Sequence, residues 1–201
     1  MFDLFSIIIK GGPVMAPLLL CSLIAVAVVI ERYFFWRRIS VRRTAEKMFT
    51  LVENSEWAKA IDVGRKDDSP LVRVLISGLA HRNPSPAKAL EMPAQKEIPF
   101  LKRRLAILDT IITLAPLLGL LGTVTGMIGS FDIMSQSGVG QPHAVTGGVA
   151  EALIATATGL LIALLTLVPY NYFTSRAEKE MEEIEYYASR LELLLGEAER
   201  K

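Results

Sequence analysis

Two threonines and one glutamate stand in or beside long uncharged stretches of the sequence. Thr123 belongs to the uncharged stretch 110–131, and Thr156 belongs to the uncharged stretch 152–175, which Glu151 immediately precedes. A carboxylate costs on the order of 3 kcal/mol at the centre of a bilayer and less near its surface. Hydroxyl groups at that depth offer hydrogen-bonding positions along a passage. These three residues are therefore candidates for a pathway that attracts and conducts cations or protons.

Each candidate also has a structural interpretation, and the sequence leaves both open. A threonine in a membrane helix commonly donates to the carbonyl four residues earlier and does nothing else. A glutamate at a helix start is stabilised by the helix dipole. Thr123 lies eight residues before Phe131, and Thr156 lies five residues after Glu151. At about 1.5 Å per residue the two hydroxyl groups differ by roughly 4–5 Å in depth, so we expect them to line one polar layer.

Small residues accompany both threonines at helical spacing. The segments are APLLGLLGTVTGMIGSF and GGVAEALIATATGLLIALLTLVPYNYF. Residues three, four and seven apart share one face of a helix, and small side chains there allow another helix to approach closely. A role in packing alone stays open for these faces. The predicted helix-packing face comprises Gly119, Gly122, Gly126, Gly129, Ala155, Gly159 and Ala163.

Enzyme signatures are missing from the sequence. It contains no phosphate-binding glycine loop, no nucleophile elbow and no metal-spaced cluster, and its two histidines, His81 and His143, are far apart. We therefore predict that the chain is not an enzyme, with no catalytic residue, no metal site and no cofactor beyond a transported ion. Because hydroxyl groups do not titrate near neutral pH, a proton pathway here requires a titratable group from a partner subunit.

Three windows without acidic or basic residues define the elements that must position these groups. About 20 apolar residues span a bilayer as an α-helix. We predict an all-α protein with three membrane spans at residues 11–31, 109–131 and 151–175. Residues 1–10 are predicted as an amphipathic segment at the outer face, 132–150 as a short periplasmic loop, and 32–108 and 176–201 as cytoplasmic helical regions. A cleaved signal peptide is disfavoured, since the first apolar run is too long and an arginine cluster follows it.

The distribution of basic residues predicts the orientation. Of the 22 Lys and Arg residues, 16 lie between Arg32 and Arg104, and the loop 132–150 has none. Basic residues that flank spans remain in the cytoplasm, so the N-terminus is predicted outside and the C-terminus inside. Membrane topology and anionic lipid explain the basic clusters, and no nucleic-acid partner is needed.

Local signals predict the cytoplasmic helices. The first helix should continue beyond Arg32, and Ser55 should cap the next helix. Ser-Pro pairs open two further helices, about 70–81 and 86–108, the second merging with the second span. The third span should continue past Arg176 into a helix whose apolar stripe packs on the region 32–108. That stripe comprises Met181, Ile184, Tyr187, Leu191 and Leu194.

The two small-residue segments resemble the signature helices of the MotA/TolQ/ExbB proton channel family, most closely ExbB and TolQ. MotA-type proteins have four spans, whereas three are predicted for this chain. The resemblance implies a homo-pentamer whose second and third spans line a central pore. It also implies a dimer of a single-span ExbD/TolR-like partner, each copy carrying an essential aspartate, and a TonB- or TolA-like protein. The pore threonines map onto Thr123 and Thr156, and the glutamate of the third span maps onto Glu151.

These expectations converge on a subunit of the bacterial inner membrane that uses the proton motive force to energise outer-membrane transport. Alternatives are a TolQ-like subunit for envelope integrity or cell division, and a non-conducting scaffold. A secondary transporter is disfavoured, because three spans are few and no inverted repeat is present. The transported cargo and the choice between H+ and Na+ stay open.

Overall fold

The computed structural model describes residues 11–39, 42–81, 86–137 and 142–198. These residues form α-helices joined by short connections, and the described part contains no strand. The predicted outer segment 1–10 and the predicted capping residue Ser85 lie outside it. The helices are α1 (Met15–Arg38), α2 (Arg42–Glu53), α3 (Trp57–Gly64), α4 (Pro70–Ala80), α5 (Pro86–Leu101), α6 (Leu105–Ser137) and α7 (Pro142–Ala198).

Three of the helices described here, α1, α6 and α7, include stretches that are long and apolar enough to cross a membrane. The described residues are therefore all-helical, as predicted, and their three long apolar helices agree with the three predicted spans. α7 runs without interruption from Pro142 to Ala198, as predicted for the third span and its continuation past Arg176. α1 extends past Arg32 to Arg38, as predicted. Residues 40–41, which precede α2, are not among the described residues.

The chain divides into two compact units, which are described separately. The first unit, called the membrane unit below, comprises Met1–Glu31 and Arg104–Tyr172. The second, called the basal unit, comprises Arg32–Arg103 and Phe173–Lys201. In the membrane unit small apolar residues are buried where the helices meet, and the single cysteine, Cys21, is buried and free.

The prediction that Ser55 caps α3 is wrong. Ser55 adopts a φ of 60°, in the left-handed region, and terminates α2 instead. Its N–H donates to the Val52 carbonyl (2.9 Å), and the Glu56 N–H donates to the Leu51 carbonyl (2.9 Å). This is the pair of bonds that closes a helix C-terminus around a left-handed residue. Glu56 then occupies the N-cap position of α3 without a side-chain capping bond.

The prediction that the helix at 86–108 merges with the second span is also wrong. α5 ends at Leu101, and Arg104 has a φ of 65°, which breaks the helix before α6 begins. Pro93 and Pro99 lie inside α5 and do not end it. Ser69 does precede Pro70 at the start of α4, as predicted, yet its hydroxyl makes no capping bond.

The basal unit packs the predicted stripe of α7 against α2 and α4. Ile184, Tyr187 and Leu191 are buried, with Leu195 rather than Leu194 completing the buried stripe. The Tyr187 ring lies 5.5 Å from the Phe49 ring, and its hydroxyl donates to Glu46 Oε1 at 2.7 Å. The predicted packing of this stripe is therefore confirmed.

An ion pair joins α4 to α5 in the basal unit. Arg73 Nε donates to Glu97 Oε1 at 2.9 Å, and Nη2 donates to Oε2 at 2.6 Å. The hydrogen bonds that Arg73 donates to Glu97 raise the pKa of the guanidinium, and burial acts in the opposite direction. Such two-point contacts fix geometry as well as adding attraction.

Candidate functional site

The small-residue faces of α6 and α7 are in direct contact. A Cβ on Gly119 would lie 2.9 Å from Thr156 Cα, and one on Gly122 would lie 2.6 Å from Ala155 Cβ. A Cβ on Gly159 would overlap the Ala115 carbonyl oxygen. Real Cβ atoms do not approach other atoms so closely, so the two backbones can be this near only because these positions are glycine.

Two predicted members of the face differ in their surroundings. A Cβ on Gly129 would meet no described atom within 4 Å, so this position stands clear of the α6–α7 contact. Ala163 is buried, with 9% of its surface exposed.

The outer end of the same contact, at Gly148 and Ser130, was not among the predicted positions. Gly148 lies against Ser130 and against the Gly126 carbonyl, which a Cβ on Gly148 would approach to 2.9 Å. Ser130 is buried, and its hydroxyl donates to the Gly126 carbonyl at 2.9 Å. Helical spacing could have identified these two residues. Ser130 follows Gly126 by four residues and Gly148 precedes Ala152 by four, so each shares a helix face with a residue of the contact.

Thr156 forms a hydrogen bond between the two helices. Its hydroxyl donates to the Gly119 carbonyl of α6 at 2.8 Å, and its side chain is half-buried. The Gly119 carbonyl belongs to the α6 backbone that lies directly against α7. Thr156 thus couples a polar group to the packing of both helices.

The other threonines in this region bond within their own helices. Thr123 donates to Leu120 O at 2.6 Å, Thr158 donates to Ile154 O at 2.8 Å, and Thr166 donates to Ile162 O at 2.7 Å. Their hydroxyl groups therefore behave as the structural interpretation expects.

Thr123 and Thr156 lie on one side of the α6–α7 pair. A helix turns by about 100° per residue. Around the α6 axis, Thr123 therefore lies about 40° from Gly119 in the direction in which the chain turns, and Gly122 lies about 60° from Gly119 in the opposite direction. Around the α7 axis, Thr156 lies about 40° from Ala152 in the direction in which the chain turns, and Glu151 lies about 100° from Ala152 in the opposite direction. Because the helices are antiparallel, equal senses of rotation face the same side. Since Thr156 contacts Gly119, the two threonines are offset by about one turn, roughly 6 Å.

α1 occupies the opposite side of the pair. A Cβ on Gly122 would lie 3.7 Å from Val14, at the start of α1, and one on Gly11 would lie 3.2 Å from Ile154 Cγ2. Glu151 also faces this side, and its carboxylate lies against Gly12. The structure thus brings Thr123 and Thr156 to one side of the helix pair and places Glu151 on the other.

The Glu151 carboxylate is next to the first turn of α1. A Cβ on Gly12 would overlap Glu151 Oε1, and Gly12 has a φ of 72°. α1 has no acidic residue in its own first turn. A carboxylate near a helix N-terminus is favourable because the unpaired N–H groups there carry partial positive charge. Glu151 supplies that charge from α7.

Ligand-rich sites are not evident in the described ranges. Residues 11–39, 42–81, 86–137 and 142–198 contain no group of three or more His, Cys, Asp or Glu residues that could hold a metal ion. The features that distinguish the membrane unit are the close helix contact and its threonines.

These features define a multi-pass helical membrane protein with a polar, closely packed pair of spans. The profile of the MotA/TolQ/ExbB proton channel family matches residues 66–186, which is more than half of the chain. The chain belongs to this family of channel and transport proteins.

Individual relatives agree with the family match. The chain is 37% identical over 191 residues to a protein named ExbB-like 3 from Synechocystis sp., covering 92% of the chain and 91% of that protein. It is 36% identical over 89 residues to the Tol-Pal system protein TolQ of Haemophilus influenzae, covering 44% and 39%. It is 36% identical over 81 residues to the biopolymer transport protein ExbB of Aquifex aeolicus, covering 40% and 55%.

Proposed function

We propose that the chain is the proton-conducting subunit of an inner-membrane energiser that works with a single-span ExbD/TolR-like partner. The observation that carries the proposal is the bond from Thr156 to the Gly119 carbonyl, with Thr123 on the same side of the helix pair. Membership of a proton channel family supports it. The transported ion is H+. The N-terminus faces the periplasm, because the basic residues after the first span and before the second favour the cytoplasmic side.

The titratable group of the pathway comes from the partner in this proposal. Residues 110–131 and 152–175 contain no Asp, Glu, His, Lys or Arg. Threonine hydroxyl groups can hydrogen-bond to water or to a partner carboxyl group, although they cannot hold a proton charge themselves. Each proton that moves down the field supplies roughly 2.3 kcal/mol per 100 mV.

The assembly proposed is a homo-pentamer around two partner helices. Its pore is lined by the side of α6 and α7 that carries Thr123 and Thr156, because α1 covers the other side near the outer end. Glu151 is proposed to act at the outer end of the pathway. Because Glu151 lies on the α1 side of the helix pair, its proposed contribution is indirect: its carboxylate contacts Gly12 and fixes the position of α1.

The energised process is outer-membrane transport through a TonB-like protein. The resemblance to ExbB-like 3 over nearly the whole chain favours this branch. A TolQ-like role in envelope integrity, with a TolA-like protein, is the second candidate, and the similarity to TolQ supports it. Purification of the native complex separates the two branches according to whether a TonB-like or a TolA-like protein is recovered.

Proton flux tests the proposal. The chain and its ExbD/TolR-like partner are reconstituted in liposomes that contain a pH-sensitive dye, and a potassium diffusion potential is applied. We expect Thr156→Val to reduce flux at least about ten-fold, because it removes the hydroxyl and keeps the side-chain shape. Thr158→Val is the matched control, since the Thr158 hydroxyl donates to the Ile154 carbonyl of its own helix and helical spacing turns it to the α1 side.

The same experiment separates a channel from a scaffold. A non-conducting scaffold gives no flux above that of empty liposomes with or without the partner. Unchanged flux in Thr156→Val, with the complex intact by size-exclusion chromatography, contradicts the role assigned to this hydroxyl.

A further inference from the structure

We propose that Asp109 is the carboxylate that relays protons at the cytoplasmic end of the pathway. This inference rests on the proposed function. Asp109 is exposed near the start of α6, shortly after the basic residues Lys102, Arg103 and Arg104 that favour the cytoplasmic side. It is the only Asp or Glu between those residues and Phe131.

Asp109 lies on the same side of the helix pair as the two threonines. Asp109, Pro116 and Thr123 are spaced by seven residues, so they fall on one stripe within about 40°. Thr113 lies about 40° from Asp109, on the side away from Thr123, and it is exposed in the membrane unit. The α6 face that contacts α7 is turned away from Asp109, and α1 lies beyond that face.

Polar backbone groups lie between Asp109 and Thr123. Pro116 has no N–H, so the Ile112 carbonyl lacks the donor that a helix normally provides four residues later. Thr113 donates to the Thr110 carbonyl at 2.9 Å, which leaves its own oxygen lone pairs as acceptors. These groups divide the distance of about 21 Å between Asp109 and Thr123 into shorter steps.

The basic residue that precedes Asp109 most closely in the sequence is paired with a residue of another helix. Arg104, five residues earlier, is paired with Glu31 of α1, with Nη1 at 3.3 Å from Oε1. The guanidinium is therefore directed towards α1. The second carboxylate on α6, Asp132, is about 140° around the helix from Asp109 and belongs to the outer end.

The proton step is balanced with water as the only co-reactant. A hydronium ion in the passage transfers H+ to the Asp109 carboxylate and leaves H2O. The resulting carboxylic acid then transfers H+ to a cytoplasmic water molecule, which restores the carboxylate and releases a hydronium ion. A carboxylate at this point keeps the proton available where bulk water begins.

Flux measurements on four variants of the reconstituted complex test this relay. Asp109→Asn removes the charge at constant size, Asp109→Glu retains a carboxylate, Asp132→Asn is the matched control, and Thr156→Val reports on the proposed function. We expect Asp109→Asn to lower proton flux about ten-fold. Asp109→Glu should recover at least half of the flux, and Asp132→Asn should leave it unchanged.

The outcomes separate the two proposals. If Thr156→Val lowers flux and Asp109→Asn does not, the relay is overturned and the channel function stands. If neither variant lowers flux, the channel function itself fails. Equal losses in Asp109→Asn and Asp132→Asn, or no recovery in Asp109→Glu, overturn the relay as a specific role. If Asp109→Asn does not assemble with the partner, Asp109→Ser replaces it in the same comparison.

Discussion

The carboxylate of Glu151 lies against the backbone of Gly12, which joins the start of the third span to the start of the first. A side chain at residue 12 and the observed position of Glu151 exclude each other, because a Cβ there would overlap Oε1. The φ of 72° at Gly12 adds a second requirement for glycine. This pair therefore determines how α1 begins beside α7 in the membrane unit.

Gly12→Ala is expected to destabilise the membrane unit by about 1–3 kcal/mol, because the left-handed backbone is strained and Glu151 must move. Thermal unfolding of the protein in detergent measures the effect. The cost should fall when Glu151→Ala is combined with it, since only the backbone strain is left. Gly147→Ala is the control, because a Cβ there would meet no described atom within 4 Å. Equal losses from Gly12→Ala with and without Glu151 contradict the contact.

Substitutions of the glycine face should depend strongly on position. Gly159→Ala forces its Cβ onto the Ala115 carbonyl, so we expect a loss of about 1–3 kcal/mol as in overpacked cores. Gly129→Ala should be neutral or stabilising by up to about 1 kcal/mol, since alanine is the better helix former and the space is open. The midpoint of thermal unfolding in the same detergent compares the two. Similar destabilisation by both would show that Gly129 also belongs to the contact.

The spans and the small-residue face were predictable because they depend on local patterns. Charge-free length identifies a membrane helix, and spacing places residues on one face whatever that face contacts. The same spacing could not identify which side α1 would cover. That choice depends on contacts between distant segments, such as Glu151 with Gly12, so spacing alone places Glu151 together with the two threonines.

The two errors in predicted helix ends, at Ser55 and Arg104, have a common physical cause. Ser55 and Arg104 both adopt left-handed backbone conformations, with φ values of 60° and 65°. Glycine normally indicates such positions, and neither residue is glycine. Ser55 followed by an amphipathic stretch instead matched the pattern of an N-cap, and the apolar residues after Arg104 matched a continuing helix.

Glu97→Gln should weaken the basal unit by about 1–2 kcal/mol. It removes the nearer charged partner of the partly buried Arg73, leaving Asp68 Oδ1 at 3.9 Å, while keeping one hydrogen-bond acceptor. Thermal unfolding measures this, and Glu56→Gln is the control because the Glu56–Lys59 pair is exposed and should contribute little. A loss in the control as large as that from Glu97→Gln would contradict a special role for the pair.

The raised pKa of Arg73 makes no pH-dependent contribution to stability near neutral pH. A group whose folded pKa is raised stabilises fully below its unfolded pKa and loses that contribution only as pH rises through the folded pKa. For arginine both values lie far above physiological pH. Unfolding midpoints of the wild type and Arg73→Met should therefore differ by a constant amount between about pH 6 and pH 9 if only the arginine titration is involved.

Replacing Thr156 by serine should separate its hydroxyl group from its shape. Thr156→Ser keeps the donor to the Gly119 carbonyl, whereas Thr156→Val keeps the volume and removes the donor. We expect Thr156→Val to lose about 0.5–1.5 kcal/mol of stability along with proton flux, and Thr156→Ser to retain most of both. Thr123→Val removes a bond within α6 only, so it should lower flux with less effect on stability. Unfolding and flux measured on the same preparations check this, and a flux that follows stability across all three variants would mean that packing, not the hydroxyl groups, controls conduction.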